Sequence, residues 1–312
     1  MTLLYRDDIF LKHDTGAHPE HAGRLRAIHA LLDKSGLAAR CTHATFTPLA
    51  EESLGAVHDR GMIQRAKQMA AHGGGRLDPD TVVCPESFKV GLASAGACVA
   101  AVDAVLRGDD QTALCLVRPP GHHATPNYSM GFCIFNSIAL AAYHARKVHG
   151  LDRVLIVDWD VHHGNGTQDC VYEDGGTFFY SIHRYGGGFY PGTGAADETG
   201  TGKGLGCIQN APVKYGTPRQ EYLTRFTHSL ESFADKAKPQ LILVSAGYDA
   251  YRGDPVGSLG LETEDFGVLT ERVLDIAKVH CGGRVVSCLE GGYNPDALAE
   301  AVRLHLETLL GD

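Results

Sequence analysis

No C-x-x-C pair occurs among the nine cysteines, no cluster of lysine and arginine interrupts an acidic excess, and no apolar run approaches bilayer-spanning length. Each gap excludes a class of protein. Without paired thiol spacing there is no zinc ribbon and no thioredoxin-like redox centre, and an odd number of cysteines in 312 residues does not make a disulfide scaffold. They read instead as reduced core residues, with Cys98, Cys115 and Cys288 in plainly apolar settings. Lysine and arginine total 28 against 37 aspartates and glutamates, a formal charge of -9 that argues against a nucleic acid or membrane partner and favours a cationic ligand. The opening M-T-L-L-Y-R-D-D has neither the basic start nor the apolar stretch of a secretory leader, so a cytoplasmic location is expected.

Hydrophobic residues at 44% and charged residues at 21% are ordinary for a globular protein, and no linker, repeat or low-complexity tract divides the chain. A single domain over residues 1–312 is expected. Apolar runs of strand length alternate with helical patterns, which predicts an α/β fold with a mostly parallel sheet and helices on both faces. Strands are expected at residues 3–5, 112–117, 153–158, 177–182, 240–245 and 284–289. One helix carries the stripe Leu25, Ile28, Leu31 and Leu32 and closes at Gly36; others span 86–106 and 136–148, start at Pro218, and run from about Thr263 to Gly282 and Gly283. Residues 185–206, rich in glycine and carrying Phe189 and Tyr190 before Pro191, read as a long functional loop.

The chemistry starts where the third of these strands ends, in V-L-I-V-D-W-D-V-H-H-G-N-G over residues 154–166. Side chains two apart on an extended chain point the same way, so Asp158, Asp160 and His162 leave the sheet on one face. Three ionisable groups beside so apolar a run would cost several kcal/mol if unpaired, which favours a metal site over a polar turn. Three more polar clusters follow strand ends: R-P-P-G-H-H with His122 and His123, S-A-G-Y-D with Asp249, and E-G-G-Y-N with Tyr293. In parallel sheets, ligands bind at that edge. Asp160, His162 and Asp249 offer three ligands and leave a position open; the set suits zinc and also accepts iron(II), cobalt or manganese. Asp158, facing the same way, joins the metal, orients a histidine or holds another cation. The paired histidines suit a proton relay, and the Tyr293 hydroxyl could donate to a carbonyl oxygen as charge develops there. These parts describe attack of a metal-activated water on an amide carbonyl.

R-P-P-G-H-H-A, G-F-C-I-F-N-S, V-D-W-D-V-H-H-G-N-G-T-Q, S-I-H-R-Y, F-Y-P-G-T-G, S-A-G-Y-D-A-Y-R-G-D-P-V-G and L-E-G-G-Y-N together resemble the zinc-dependent histone deacetylase family, over nearly the whole chain from His18 onward. D-W-D-V-H-H-G-N-G is most similar to the class II branch and to bacterial histone deacetylase-like amidohydrolases. The resemblance implies the arginase/deacetylase fold and deacylation of acylated lysine or a related amine. It implies zinc on Asp160, His162 and Asp249, His122 and His123 as the acid/base pair, and Tyr293 polarising the carbonyl. It assigns Asp158 and Ser181 to structural potassium, and Phe132 and Tyr190 to the tunnel walls, with Gly131, Val256 and Gly292 also beside the substrate.

Several positions modify that expectation. Tyr293 stands where weakly active class II members have histidine, which implies a competent enzyme. Tyr190 replaces the usual phenylalanine and brings a hydroxyl to the tunnel, and Asn165 replaces the aspartate of class I, so the charges of His122 and His123 stay open. Val256 stands where polyamine-selective members carry a glutamate, which weakens acetylpolyamine as the alternative substrate without removing it. Arg24 matches an arginine of an inner acetate-release channel or else lies on a helix surface. A non-catalytic acyl-lysine binding module is disfavoured by the intact set of positions, and a binuclear manganese ureohydrolase would leave Tyr293 without a task.

Overall fold

The apolar runs form strands whose residues are nearly all buried, as a parallel sheet between two helical layers requires. In the computed structural model, which describes residues 1–311, the strands are β1 (Thr2–Tyr5), β2 (Thr42–His43), β3 (Gly75–Asp78), β4 (Thr81–Val83), β5 (Thr112–Cys115), β6 (Val154–Asp158), β7 (Thr177–Arg184), β8 (Ile208–Val213), β9 (Leu241–Ala246) and β10 (Val285–Leu289). Eight of them make one sheet in the order β2-β1-β5-β10-β9-β6-β7-β8, with every neighbouring pair parallel. β3 and β4 form a separate antiparallel pair.

The helices are α1 (Gly23–Lys34), α2 (Arg60–Ala71), α3 (Ser87–Arg107), α4 (Ser137–Lys147), α5 (Asn165–Val171), α6 (Arg219–Ala237), α7 (Thr263–Cys281) and α8 (Pro295–Leu310). They cover both faces of the sheet. The Thr112 hydroxyl meets that of Thr2, which bonds the Leu309 carbonyl of α8, whereas Cys115, three residues further along β5, reaches Ala97 of α3. On the first face α1 packs on α8, α8 on α7 and α7 on α6; on the second α3 packs on α4.

The differences from expectation have local causes. β8 reads I-Q-N-A-P-V, too polar and proline-marked to stand out, and it lies at the sheet edge, where proline is tolerated. Pro218 is extended, with ψ 138°, so α6 begins one residue later than expected. β5 stops at Cys115, and Leu116 and Val117 carry the chain on to the site loop. β2, the β3–β4 pair, α2, α5 and α8 were not expected at all. Contrary to the reading of the apolar runs, α3 has the length and apolar composition to cross a bilayer; here it is mostly buried and packs against β5, β10 and α4.

The strand order decides where chemistry can occur. β5, β10, β9 and β6 are consecutive neighbours at the centre of the sheet, and the four polar motifs follow their carboxyl ends. Segments as far apart in sequence as His122 and Tyr293 therefore open side by side at one edge.

Candidate active site

Immediately after β6 the chain is held by its own carboxylates. Asp158 Oδ1 accepts from the Asp160 N–H at 3.1 Å, and Asp160 Oδ1 from the His162 N–H at 2.9 Å. His162 Nδ1 then lies 3.1 Å from Asp160 Oδ1 and 3.0 Å from Asp249 Oδ2. One ligand atom from each of these three buried residues falls within 4.8 Å of the other two. The remaining oxygens are fixed by backbone donors, Gly291 N–H to Asp160 Oδ2 and Val161 N–H to Asp249 Oδ1, both at 2.9 Å. A methyl group on Gly247 or Gly291 would collide with the Asp160 carboxylate, so glycine gives the loops their close approach.

The donor set fits a divalent cation in charge as well as in position. Burial and the neighbouring Asp160 charge push Asp249 up to about 7. Asp249 is thus short of positive charge, whereas burial of Asp160 is outweighed by the His122 and His162 imidazoles, which hold its carboxyl well below the ordinary carboxylate range. Burial works against a proton on His162, yet Asp249 and Asp160 pull that imidazole up to about 9, a stand-in for the charge an ion would bring.

The two histidines differ in partner. His122 Nδ1 lies 3.0 Å from Asp158 Oδ2, while His123 Nδ1 lies 2.7 Å from Asn165 Oδ1. Desolvation opposes a charge on His122, but Asp160 and Asp158 outweigh it and raise this imidazole well above its ordinary value. His123 goes the other way: burial and the charges of His122 and His162 lower it well below the ordinary value. An Nδ1–H donated to the Asn165 carbonyl leaves His123 Nε2 as a bare acceptor. Asp158 thus orients a histidine and stands outside the three-donor cluster; Ser181, its register partner on β7, has its hydroxyl 2.9 Å from His183 Nδ1.

A pocket of about 210 Å³ opens over these groups, lined by His123, Gly131, Phe132, His162, Phe189, Tyr190, Val256, Tyr293 and Asp80. Phe132 and Tyr293 meet edge to face at 5.5 Å, and Tyr190 meets His123 edge to face at 5.1 Å. Phe132 adopts a left-handed backbone (φ 69°), held by its N–H to the Thr81 hydroxyl at 3.1 Å; strain of this kind in a bulky residue is typical of functional walls. Among the described residues the buried Tyr190 hydroxyl has no hydrogen-bond partner. Gly292 does not line the pocket: its carbonyl accepts from Arg24 Nε at 2.6 Å, behind Tyr293.

Arg24 corrects one expectation outright. It is fully buried rather than on a helix surface, 4.9 Å from the Tyr293 ring, and donates to the Glu290 and Gly292 carbonyls and to Glu20. Glu20 also holds the buried Arg118 through both carboxylate oxygens. Glu20, Arg118, Asp80 and Glu290 were not singled out from sequence, nor was Phe189 as a site residue. Phe189 stacks on the His162 ring at 5.0 Å and 7°, and Glu290 accepts from the Gly121 and His122 N–H groups. Adjacency to Tyr190 and membership of the E-G-G-Y-N motif were the available signals for these two.

The geometry has counterparts among known proteins. The histone deacetylase domain family matches residues 18–309. The histone deacetylase-like amidohydrolase of Pseudomonas aeruginosa is 37% identical over 94% of this chain and 82% of its own length. Polyamine deacetylase HDAC10 of Homo sapiens is 39% identical over 99% of this chain, which spans 48% of that protein. The crystal structure of the HDA15 HD domain is similar with a TM-score of 0.94 at 34% identity, over all of this chain and 88% of that one. With a match across almost the whole length and the same arginase/deacetylase fold, the chain belongs to the histone deacetylase family.

Proposed function

We propose that residues 1–312 act as a single catalytic domain that hydrolyses the acyl-amide of a primary amine, most readily an acylated lysine side chain. The observation that carries this reading is the convergence of Asp160, His162 and Asp249 within 4.8 Å beneath an aromatic pocket. Zinc held by these residues, or iron(II) or cobalt in its place, would supply Lewis acidity toward water and the acyl carbonyl. Asp158 and Ser181, register partners on β6 and β7, would hold the structural potassium that the family resemblance implies.

The chain's own groups divide the remaining work. Phe132 and Tyr190 sandwich the alkyl stem of the substrate and exclude water along it. His123, neutral and with Nε2 free, takes the proton of the attacking water and returns it to the departing amine nitrogen. His122, protonated and held by Asp158, stays as a fixed positive charge beside the reacting atoms. Burial raises the Tyr293 phenol well above its ordinary value despite the Arg24 guanidinium, so it remains a hydrogen-bond donor to the developing oxyanion.

Asp80 at the pocket wall supports a second reading, in which the substrate's far end is cationic, as in an acetylated polyamine. The test compares kcat/KM for an acetyl-lysine peptide and for acetylputrescine on one metal-loaded preparation. Faster turnover of the peptide supports the first reading, and faster turnover of acetylputrescine the second. No hydrolysis of either, or of longer acyl analogues, overturns both.

A further inference from the structure

A second convergence of metal-binding side chains stands away from the catalytic mouth. Asp103 lies near the end of α3, His144 in the last turn of α4, and His149 on the connection from α4 to β6. That connection enters β6 at its amino end, whereas Asp160 and His162 leave the same strand at its carboxyl end. The cluster therefore occupies the opposite edge of the sheet from the proposed reaction.

Its three side chains converge on one point. His144 Nε2 lies 2.7 Å and His149 Nε2 2.6 Å from the same oxygen, Asp103 Oδ1, and the two rings stand 5.3 Å apart at 71°. One donor atom from each residue falls within 4.8 Å of the others. The side chains retain 21%, 27% and 35% of their exposure, for His144, His149 and Asp103 respectively, so a hydrated ion can reach them. The surroundings favour positive charge. The carbonyl ends of α3 and α4 both approach the site, and the His144 carbonyl accepts from Val148 and His149, closing the turn around it. Of the nearby cations, Arg107 is paired with Asp109 and Arg146 with Asp174, which leaves the exposed Lys147.

We propose that Asp103, His144 and His149 form a second divalent-metal site, for a borderline first-row ion such as zinc, with water completing its coordination. Two imidazoles and one carboxylate bind such ions at about 2.0–2.2 Å, which sets the donors roughly 3.3 Å apart around a tetrahedral ion, so each imidazole has to withdraw by about half an ångström from the Asp103 oxygen. Moving each proton from Nε2 to Nδ1 presents both lone pairs to the ion without deprotonating a neutral ring. Bound there, the ion ties the end of α3 to the α4–β6 connection and stabilises the folded chain by mass action.

The test titrates metal-free protein carrying no histidine tag with Zn2+ and Co2+, reading stoichiometry by calorimetry and coordination by the cobalt visible spectrum. The wild type takes up two equivalents. The His144→Ala/His149→Ala variant takes up one and keeps wild-type turnover, and zinc raises its Tm a few degrees less than it raises that of the wild type. Equal stoichiometry in the wild type and this double variant overturns the proposal. A parallel titration of Asp249→Ala, which removes a ligand of the catalytic cluster, keeps the two sites distinguishable: retention of both equivalents there contradicts the catalytic reading and leaves the second site standing.

Discussion

Asn165 sets the tautomer of His123, and replacing it with aspartate converts a neutral contact into an ionic one while changing a single atom of the side chain. The fold should tolerate Asn165→Asp, because this residue opens α5 and an acidic group is favourable at a helix start. His123 Nδ1 stands 2.7 Å from the Asn165 oxygen. With charge centres about 4 Å apart and an effective dielectric near 20, the added attraction is about 4 kcal/mol, nearly three pKa units. Desolvation of the new carboxylate takes back part of this, which leaves a net rise of roughly one to two units for His123. The base must be neutral to accept a proton, so a higher pKa moves the acidic limb of kcat/KM toward higher pH by the same amount. The assay is the pH profile of acetyl-lysine peptide hydrolysis at saturating metal for both proteins. An acidic limb that does not move, in a variant with wild-type metal content, refutes His123 as the group that sets it.

Tyr293→Phe should lower kcat about 10²- to 10³-fold, the range for losing one oxyanion donor, with metal content unchanged; a matching loss of metal would contradict the assigned role. Acid stability should depend on Glu20, where burial opposes the charge but the Arg118 and Arg24 guanidinium groups win and hold the carboxyl at about 2 instead of 4.5. A depressed carboxyl stabilises the fold above pH 4.5 and loses that contribution as pH falls toward 2, an effect of roughly 3 kcal/mol. In urea melts, Glu20→Gln should therefore be less stable than wild type at pH 6, and the difference should shrink between pH 4.5 and 3. A difference independent of pH would remove the ion pair as its source.

The parts legible from sequence were those in which neighbouring residues share one physical cause. Asp158, Asp160 and His162 alternate along an extended segment, and the motifs containing His122, Asp249 and Tyr293 follow apolar runs that could only be buried strands. The rest depended on contacts with no local trace. Glu20 and Arg118 are 98 residues apart, on segments that follow the neighbouring strands β1 and β5, so nothing around either predicted a buried ion pair. Phe189 and Tyr190 are adjacent, yet which ring would stack on His162 and which would face His123 is decided by the path of the loop. α8 begins with an Asn294 cap and Pro295 in its first turn, a start signal whose place was already taken by the functional motif just before it.

One short segment explains why so many of these residues must hold their places together. In residues 290–293 every position is tied to a different part of the site. The Glu290 carboxylate accepts from the Gly121 and His122 N–H groups, at 2.6 and 3.2 Å, and so fixes the loop of the paired histidines. Gly291 N–H fixes the Asp160 carboxylate, the Gly292 carbonyl is held by Arg24, and Tyr293 N–H donates to Asp254 Oδ2 at 2.6 Å. Buried groups bonded this fully lose more than one contact when any of them shifts. Tyr293, the Asp160 carboxylate and the histidine loop are therefore positioned by a common frame. Reaction geometry must be kept to about half an ångström, and a frame shared by all three partners preserves their mutual spacing even where the surrounding loops move.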